Sequence, residues 1–270
     1  MQIFDFNIHL PFIENDDVNV VIAQDLNLDV EGISKGLQTH QDTIKKAVGA
    51  NFLLFNTKLF DSDVTPFFEK ANQLFEKNTF TALMDFRRFD AFEYIEKVAE
   101  VGAKAIMFNS YLQKISDSDF VEVGKICQFA QKKDLIICID GSYGTSKMYA
   151  YDNLKLACFV ADLVEKTPIV IVHSGGYRII EAMLLAADKK NVWLDTSFSL
   201  PSYIGSSLEK DFAFVYKNMI DRVVFGTDHP YFNFDEAIKI HKDFFEKYHF
   251  TQKEQEQIFY KNALQLFNIN

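Results

Sequence analysis

The sequence predicts an α/β protein with one domain over residues 1–270, a (β/α)8 TIM barrel with an extra C-terminal helix. Eight short apolar runs alternate along the 270 residues with helical stretches of roughly ten to fifteen residues, which is typical of parallel βαβ units. Eight such units in about 250 residues indicate a closed barrel. No Gly-x-Gly-x-x-Gly or Gly-x-x-x-x-Gly-Lys sequence follows a predicted strand, so a doubly wound open sheet is the less favoured alternative.

One buried strand is predicted where four β-branched residues follow Pro168 and end at His173 and two glycines. Strands covered by helices on both faces are apolar throughout, and ligands bind beyond their carboxyl ends. Gly175 and Gly176 permit a tight turn and the close approach of a ligand. The pattern therefore predicts His173 at the ligand-binding end. Taken alone, the stretch is equally compatible with a core histidine before an ordinary strand-to-helix turn.

The other elements follow in strand-then-helix order. Predicted strands cover 1–9, 51–56, 80–86, 103–108, 135–139, 169–172, 192–196 and 222–225. Predicted helices cover 34–48, 64–77, 91–101, 119–132, 153–165, 179–188, 209–218, 234–247 and 252–267. The polar segment 10–32 is interpreted as a lid or excursion. Period-two alternation places Asp5, Asn7 and His9 on one face of the first strand.

The composition excludes several classes of protein. A formal net charge of -10 argues against a nucleic-acid partner, which requires a surplus of Lys and Arg. No run of about 18 apolar residues is present, and the first residues lack the basic start of a signal peptide. We therefore expect a cytoplasmic protein without membrane contact. Cys127, Cys138 and Cys158 are widely spaced in apolar segments and are expected to be buried free thiols.

Polar side chains follow most of the predicted strands. Because the carboxyl ends of all eight strands converge on one mouth of a barrel, we expect them to be neighbours. They are Asn7, His9, Asp85, Arg87, Arg88, Asn109, Asp140, Tyr143, His173, Asp195, Ser197, Asp228 and His229, and the apolar Met107 is expected among them at the end of the fourth strand. Such a group of ionisable residues exceeds what packing requires. Asp85 and Asp195 are alternatively interpreted as helix caps or arginine partners, and His40, His241 and His249 are expected at solvated helix positions.

Four segments together carry a family resemblance. They read FDFNIH at 4–9, VHSGG at 172–176, NVWLDTS at 191–197 and VFGTDHP at 224–230, and KNALQLF at 261–267 is similar to the terminal helix of the same family. The chain resembles the amidohydrolase-related (amidohydrolase 2) branch of the amidohydrolase superfamily nearly from end to end. This resemblance implies one amidohydrolase-like TIM-barrel domain.

The resemblance also implies a divalent metal held by a His-x-His pair on strand one, a histidine on strand five and an aspartate on strand eight. It assigns the second histidine of the pair to His9, the strand-eight role to Asp228, and the substrate-polarising role to His173. Asn7 and Asp140 stand where the other two histidines would be. A set of His9, Asp140, Asp228 and Asn7 is oxygen-rich and less suited to zinc than to a harder ion such as manganese. One zinc or manganese ion and a metal-free site both stay open.

Three functions are compatible with these residues. In the first, a metal activates water, Asp228 accepts its proton and His173 stabilises charge on the substrate of a hydrolysis. In the second, Asp228 is the base of a metal-free hydrolase, as in the pyrone-dicarboxylate lactonases of this branch, and His173 or His9 polarises an ester or lactone. In the third, the barrel is catalytically degenerate and binds a small molecule or a protein partner.

Further side chains indicate which chemical groups the substrate contains. Arg87 or Arg88 is expected to bind a substrate carboxylate through its paired donors, with surface ion pairs as the other interpretation. Tyr143 and Ser197 complete the predicted substrate-binding set. The tyrosines near the mouth, at 111, 143, 203 and 231, suggest a planar or sugar-like ligand. We expect a small-molecule substrate, carboxylated in one alternative, and a homo-oligomer stays open.

Overall fold

Eight parallel strands form the barrel in this computed structural model, which describes residues 1–10, 37–38, 41–42, 45–75, 77–143 and 146–269. The strands are β1 Phe4–Leu10, β2 Gly49–Leu54, β3 Lys77–Leu83, β4 Ala105–Phe108, β5 Ile136–Asp140, β6 Ile169–Val172, β7 Val192–Asp195 and β8 Val223–Val224. Each pairs in parallel with the next in chain order. The predicted TIM barrel is confirmed.

The chain just beyond β8 closes the barrel against β1. The backbone N–H of Phe6 donates to the carbonyl of Phe225 at 2.8 Å, and that of His9 donates to the carbonyl of His229 at 2.8 Å. The N–H of Asp228 donates in return to the carbonyl of Asn7 at 3.0 Å. These bonds satisfy backbone groups that an open sheet edge would leave unpaired.

Helices separate the strands. They are α1 Thr65–Leu74, α2 Ala91–Glu100, α3 Ser110–Gln113, α4 Phe120–Lys132, α5 Asn153–Leu163, α6 Ile179–Asp188, α7 Ser199–Tyr203, α8 Glu209–Asn218, α9 Phe234–Lys247, α10 Gln252–Glu256 and α11 Asn262–Phe267. A π-helical turn, Gln257–Lys261, joins the last two. The side chains of Asp152, Asn233 and Thr251 accept hydrogen bonds from the first turns of α5, α9 and α10, which fixes where those helices begin.

Some predicted elements differ from the structure. The third strand ends at Leu83 rather than at residue 86, because the apolar Met84 and Phe86 lie in a buried loop rather than in the strand. The short helices α3 and α7 were not predicted. The predicted segment 10–32 lies outside the described residues apart from residue 10, as does most of the predicted helix 34–48, His40 included. No helix among the described residues is both long and apolar enough to cross a membrane.

Two apolar layers surround the strands. On β6, Ile169 and Ile171 pack outward against the helices, whereas Val170 and Val172 fill the barrel interior. The interior is sealed at its amino-terminal end by Phe267 of α11, whose ring lies 5.8 Å from those of Phe4 and Phe6. The interior is therefore a packed core below the mouth and not a channel.

The alternation between interior and exterior slips by one residue within β1. Phe4 and Phe6 belong to the interior, but Ile8 belongs to the outer layer, and the pairing with β2 shifts register between Asp5 and Ile8. A bulge of this kind redirects the side chains that follow it. The prediction that Asp5, Asn7 and His9 share one face by strict alternation is therefore wrong.

The three cysteines carry no disulfide. Cys127 and Cys138 are buried free thiols, as predicted, whereas Cys158 is free but exposed. The exposed thiol lies on the solvent side of α5, where the apolar sequence context does not translate into burial.

Candidate active site

Four ionisable side chains meet at the carboxyl end of the barrel. His9 comes from β1, Asp140 from the last position of β5, His173 follows β6, and Asp228 follows β8. All four are buried, with exposures of 3 to 5%. Buried ionisable groups are stable only when they are paired, so their mutual geometry shows what the site can do.

His9 and Asp228 form a close pair. Nε2 of His9 lies 2.8 Å from Oδ1 of Asp228. A carboxylate only accepts hydrogen bonds, so Nε2 carries the proton. Nδ1 of His9 is buried and has no hydrogen-bond partner among the described residues. The imidazole is held between the rings of Phe55 and Tyr231, whose centroids lie 4.8 and 5.0 Å from its own.

His173 is presented by a turn in left-handed conformations. The φ values of His173, Ser174 and Gly175 are 63°, 51° and 77°, so the chain leaves β6 abruptly and the imidazole enters the mouth. Its Nδ1 lies 3.2 Å from the carbonyl of Ser197, which only accepts, and therefore Nδ1 carries a proton.

The other nitrogen of His173 faces two carboxylates. Nε2 lies 3.8 Å from Oδ2 of Asp140 and 3.9 Å from Oδ1 of Asp228. These separations exceed a hydrogen bond, but an oxygen atom beside the line that joins the atoms can hydrogen-bond to both. Burial lowers the pKa of His173, but Asp228, Asp140 and Asp195 outweigh burial and raise it above 6.5.

Ser197 lies behind His173 as the centre of a buried network. Its Oγ donates to Oδ2 of Asp195 and accepts from Nδ2 of Asn7 at 2.7 Å and from Nδ1 of His173 at 2.9 Å. The backbone N–H of His173 also donates to Asp195, at 3.1 Å. Burial raises the pKa of Asp195 above 3.8, although His173 and these hydrogen bonds oppose the shift. A Cβ at Gly226 would lie 2.5 Å from Oδ1 of Asp195, so only glycine fits there.

Asp140 is held by three hydrogen bonds. Its Oδ1 accepts from the backbone N–H and the hydroxyl of Ser142 at 2.7 and 2.6 Å, and its Oδ2 accepts from Nδ2 of Asn109 at 2.8 Å. The hydroxyl of Tyr111 lies 3.0 Å from that of Ser142. The carboxylate is thus fixed in orientation opposite His173.

Asp5 ties the first strand to the loop that carries Asp228. It accepts from the backbone N–H and hydroxyl of Thr227 at 2.9 and 2.5 Å and from the N–H of Asn7 at 3.0 Å. Burial raises the pKa of Asp5 to about 7 despite these bonds. Asp5 is a positioning residue beneath the mouth.

Several predicted substrate-binding residues have partners within the protein. Arg87 donates to the carbonyls of Gln113 and Lys114 and to Asp119, and Arg88 donates to Asp61 and Asp90. The surface ion-pair interpretation of these arginines therefore describes the structure. The hydroxyl of Tyr143 donates to Asp152 and accepts from Arg178. Of the predicted substrate-binding set, only Ser197 contacts the four-residue cluster.

The remaining candidates are placed as follows. Asp195 neither caps a helix nor pairs with an arginine, because its partners are His173 and Ser197. His241 is buried rather than solvated, with Nδ1 2.7 Å from the carbonyl of Ala237 and Nε2 2.8 Å from the hydroxyl of Thr196. Sequence reasoning did not find Phe55 or Phe198, which contact the two site histidines; their only signal is an aromatic residue just beyond a strand end.

The predicted metal ligands do not fit a resident ion as these side chains stand. A ligand set directs several lone pairs at one point, and within the described residues no three His, Cys, Asp or Glu side chains do so. Nε2 of His9 is protonated toward Asp228, and Asp140 already accepts three hydrogen bonds. Asn7 turns its amide nitrogen to Ser197, and its buried Oδ1 has no hydrogen-bond partner within the described chain.

The barrel is similar to solved structures over its whole length. An uncharacterised TIM-barrel protein from Bordetella bronchiseptica superposes with a TM-score of 0.73 at 14% identity, covering 100% of this chain and 99% of that one. An amidohydrolase from Burkholderia multivorans with bound zinc gives 0.68 at 13% identity, covering 100% of both chains. A probable 2-pyrone-4,6-dicarboxylic acid hydrolase from Acinetobacter baumannii, with citric acid bound, gives 0.63 at 14%, covering 99% of this chain and 100% of that one. At these identities the likeness shows the fold.

A comparison with curated proteins finds no match. The family model described as Amidohydrolase matches residues 80–269. The chain belongs to the amidohydrolase family. The matched part of this amidohydrolase-family chain includes Asp140, His173, Ser197 and Asp228, while Asn7 and His9 lie before it.

Proposed function

We propose that this amidohydrolase-family barrel hydrolyses an ester or lactone of a small molecule, without a resident metal ion. One observation carries the proposal: Oδ1 of Asp228 is hydrogen-bonded to His9 at 2.8 Å and lies 3.9 Å from Nε2 of His173. A base with a fixed orientation therefore lies beside a polarising imidazole, close enough for the two to act on the attacking water and the carbonyl oxygen of one substrate group.

Asp228 acts as the general base. The proton that His9 donates orients the carboxylate, so a water bound to Asp228 gives its proton to that carboxylate as its oxygen attacks the substrate carbonyl carbon. The carbon–oxygen ester bond then breaks, and the leaving oxygen takes the proton that Asp228 holds. Ester and water are thus converted into acid and alcohol, and both side chains return to their starting state.

His173 stabilises the oxygen on which negative charge develops. Its Nδ1 proton is fixed by Ser197, so protonation at Nε2 gives an imidazolium that donates to the substrate carbonyl. The neighbouring carboxylates raise the pKa of His173 against the effect of burial, which favours this protonated form. An activated ester or lactone has a good leaving group, and it needs less electrophilic assistance than an amide.

The named relatives are consistent with this reaction class. The A. baumannii protein is named a probable hydrolase, and the B. multivorans amidohydrolase was solved with zinc bound. The alternatives of a metal-dependent hydrolase and of a non-catalytic binding protein remain outcomes of the experiment.

The experiment measures hydrolysis of lactones, aryl esters and small amides by the purified protein before and after dialysis against a chelator. We expect lactone or ester turnover that survives chelation. His173→Asn and Asp228→Asn should each lower kcat by about 10²- to 10⁴-fold. The matched controls are His249→Asn and Asp134→Asn, which replace the same residue types at exposed positions with similar positive φ values.

Turnover that is lost on chelation and restored by zinc or manganese would overturn the metal-free mechanism. Binding of small molecules without turnover of any of them would support the non-catalytic alternative. Unchanged turnover in both the His173 and Asp228 variants would place the chemistry elsewhere.

A further inference from the structure

Aromatic rings form the walls of the mouth around both site histidines. Phe55 and Tyr231 contact the ring of His9, and Phe198 contacts the ring of His173 with centroids 5.3 Å apart. Phe232 extends this wall, 5.9 Å from Phe198. These rings are half-buried, so part of each remains available to a ligand.

Tyr111 stands on the Asp140 side of the mouth, near Tyr231. Its hydroxyl contacts Ser142, which in turn holds Asp140. Burial raises the pKa of Tyr111 and of Tyr231 above the usual 10, and Asp140 and Asp228 act in the same direction on both. Both phenols are therefore uncharged near neutral pH and add no anion of their own.

The charge in the mouth is negative. Asp140, Asp195 and Asp228 surround His173, and within the described chain no lysine or arginine forms an ion pair with any of the three. The cations that the sequence predicts at the mouth, Arg87 and Arg88, donate their hydrogen bonds to carbonyls and to Asp61, Asp90 and Asp119. One imidazolium does not compensate the carboxylates of Asp140 and Asp228 that face its Nε2, so a carboxylate on the substrate would meet repulsion in a buried site.

We infer that the substrate is an uncharged ester or lactone on a planar ring, and that the mouth rejects the same ring when it carries a carboxylate. The inference rests on the proposed hydrolysis and deepens it. The aromatic side chains pack against the ring of the substrate. The carboxylates of Asp140 and Asp228, which face His173, also repel a negatively charged ligand. This replaces the sequence-based expectation of an arginine-bound substrate carboxylate.

The test compares two isosteric lactones, the 6-carboxamide and the 6-carboxylate of 3,4-dihydrocoumarin, with rates normalised to their hydroxide-catalysed hydrolysis. We expect kcat/KM for the carboxamide to exceed that for the carboxylate by about tenfold or more, which is the scale of one uncompensated charge contact. Equal values, or a preference for the carboxylate, would overturn the inference.

A variant pair tests the origin of the preference. Asp140→Asn removes one negative charge and should narrow the ratio between the two lactones, even though overall turnover falls. Asp162→Asn removes an exposed carboxylate on α5 and should leave the ratio unchanged. A ratio that stays the same in Asp140→Asn would show that these acids do not cause the preference for the uncharged lactone.

A second pair tests the aromatic walls. Phe55→Leu should raise KM for 3,4-dihydrocoumarin several-fold while leaving KM for the aliphatic δ-valerolactone nearly unchanged, because a ring contact is lost. The control is Phe92→Leu, at an exposed ring on α2. An equal rise for both lactones would contradict ring recognition.

A binding measurement distinguishes failure of the proposed hydrolysis from failure of the inferred ligand class. The lactam 3,4-dihydro-2-quinolinone, with the same two substituents, is not hydrolysed readily, and its binding is measured by equilibrium dialysis. A missing turnover of every lactone overturns the hydrolysis, whereas a preference of the protein for the uncharged lactam still supports the ligand class. Tighter binding of the carboxylated lactam would overturn the inference that the ligand is uncharged.

Discussion

Nδ2 of Asn7 lies 2.7 Å from Oγ of Ser197, a contact that joins β1 to the loop after β7 beneath the imidazole of His173. The residue that the family resemblance assigns to a metal-binding position therefore donates to the serine that fixes the His173 tautomer. At this position the barrel has a hydrogen-bond relay in which Oγ of Ser197 accepts from both Asn7 and His173 and donates to Asp195.

Removal of the relay hydroxyl should slow the reaction without weakening substrate binding. In Ser197→Ala, His173 retains the Ser197 carbonyl but loses one hydrogen bond, and we expect kcat to fall about tenfold with KM nearly constant. Steady-state kinetics check this, with the exposed Ser206→Ala as control. A rise in KM at constant kcat would assign Ser197 to substrate binding instead.

The rate should decline on the alkaline side with an apparent pKa above 6.5. Burial lowers the pKa of His173, but Asp228, Asp140 and Asp195 raise it overall, so the imidazolium of the proposed mechanism persists above 6.5 and is lost as the pH rises through the raised value. Asp140→Asn removes one of these charges and should move the alkaline limb of kcat/KM to lower pH. A limb that moves to higher pH would contradict the assignment.

The contribution of His241 to folding stability should be lost as the pH falls. Burial lowers the pKa of His241 to about 4 in the folded state, against 6.5 as the reference, so its stabilising contribution is complete above 6.5 and is lost as the pH falls through the folded value. The loss between pH 7 and pH 5 is about 2 kcal/mol.

The measurement is urea denaturation at both pH values, comparing the native chain with His241→Gln. The comparison is necessary because Asp5, with a pKa raised to about 7, contributes with the opposite sign: its contribution to stability is lost as the pH rises. The exposed His249→Asn variant is the control. An identical pH dependence of the unfolding free energy with and without His241 would show that the neutral form of His241 does not contribute to stability.

Gly226 should tolerate no side chain. In Gly226→Ala the added carbon would lie 2.5 Å from Oδ1 of Asp195 and 2.9 Å from Cβ of Asn7, so the relay must shift. We expect a loss of about 1–3 kcal/mol in the free energy of unfolding together with reduced kcat. Urea midpoints check this against Gly124→Ala, where the atoms nearest to the new methyl belong to the side chains of Leu163 and Phe159 and not to the relay.

Much of the outer shell could be predicted from the sequence. The helices at 179–188, 209–218 and 234–247 agree with α6, α8 and α9 at both ends, because apolar periodicity persists through each helix and stops there. The strand order follows from the right-handed βαβ rule, which leaves few alternatives once eight units are counted.

The site could be predicted in part. The proximity of His9, His173 and Asp228 could be predicted because parallel strands bring their carboxyl ends together; their roles stay a prediction. The slip within β1 could not be found, since no residue between Asp5 and Ile8 signals a bulge. The pairing of Arg88 with Asp61 was also out of reach, because Asp61 lies 27 residues away in sequence and is brought near only by the fold.

The seam between β1 and the segment after β8 is formed by the residues that carry the base and its histidine. Backbone hydrogen bonds link Phe6 to Phe225 and His9 to His229, and a return bond links Asp228 to Asn7. These bonds close the barrel and also fix the distance between His9 and Asp228. A fluctuation that parts this junction disconnects the proton acceptor from its orienting partner while the other seven strand pairings stay intact. In the proposed mechanism, catalytic activity therefore reports directly whether the ring of strands is complete.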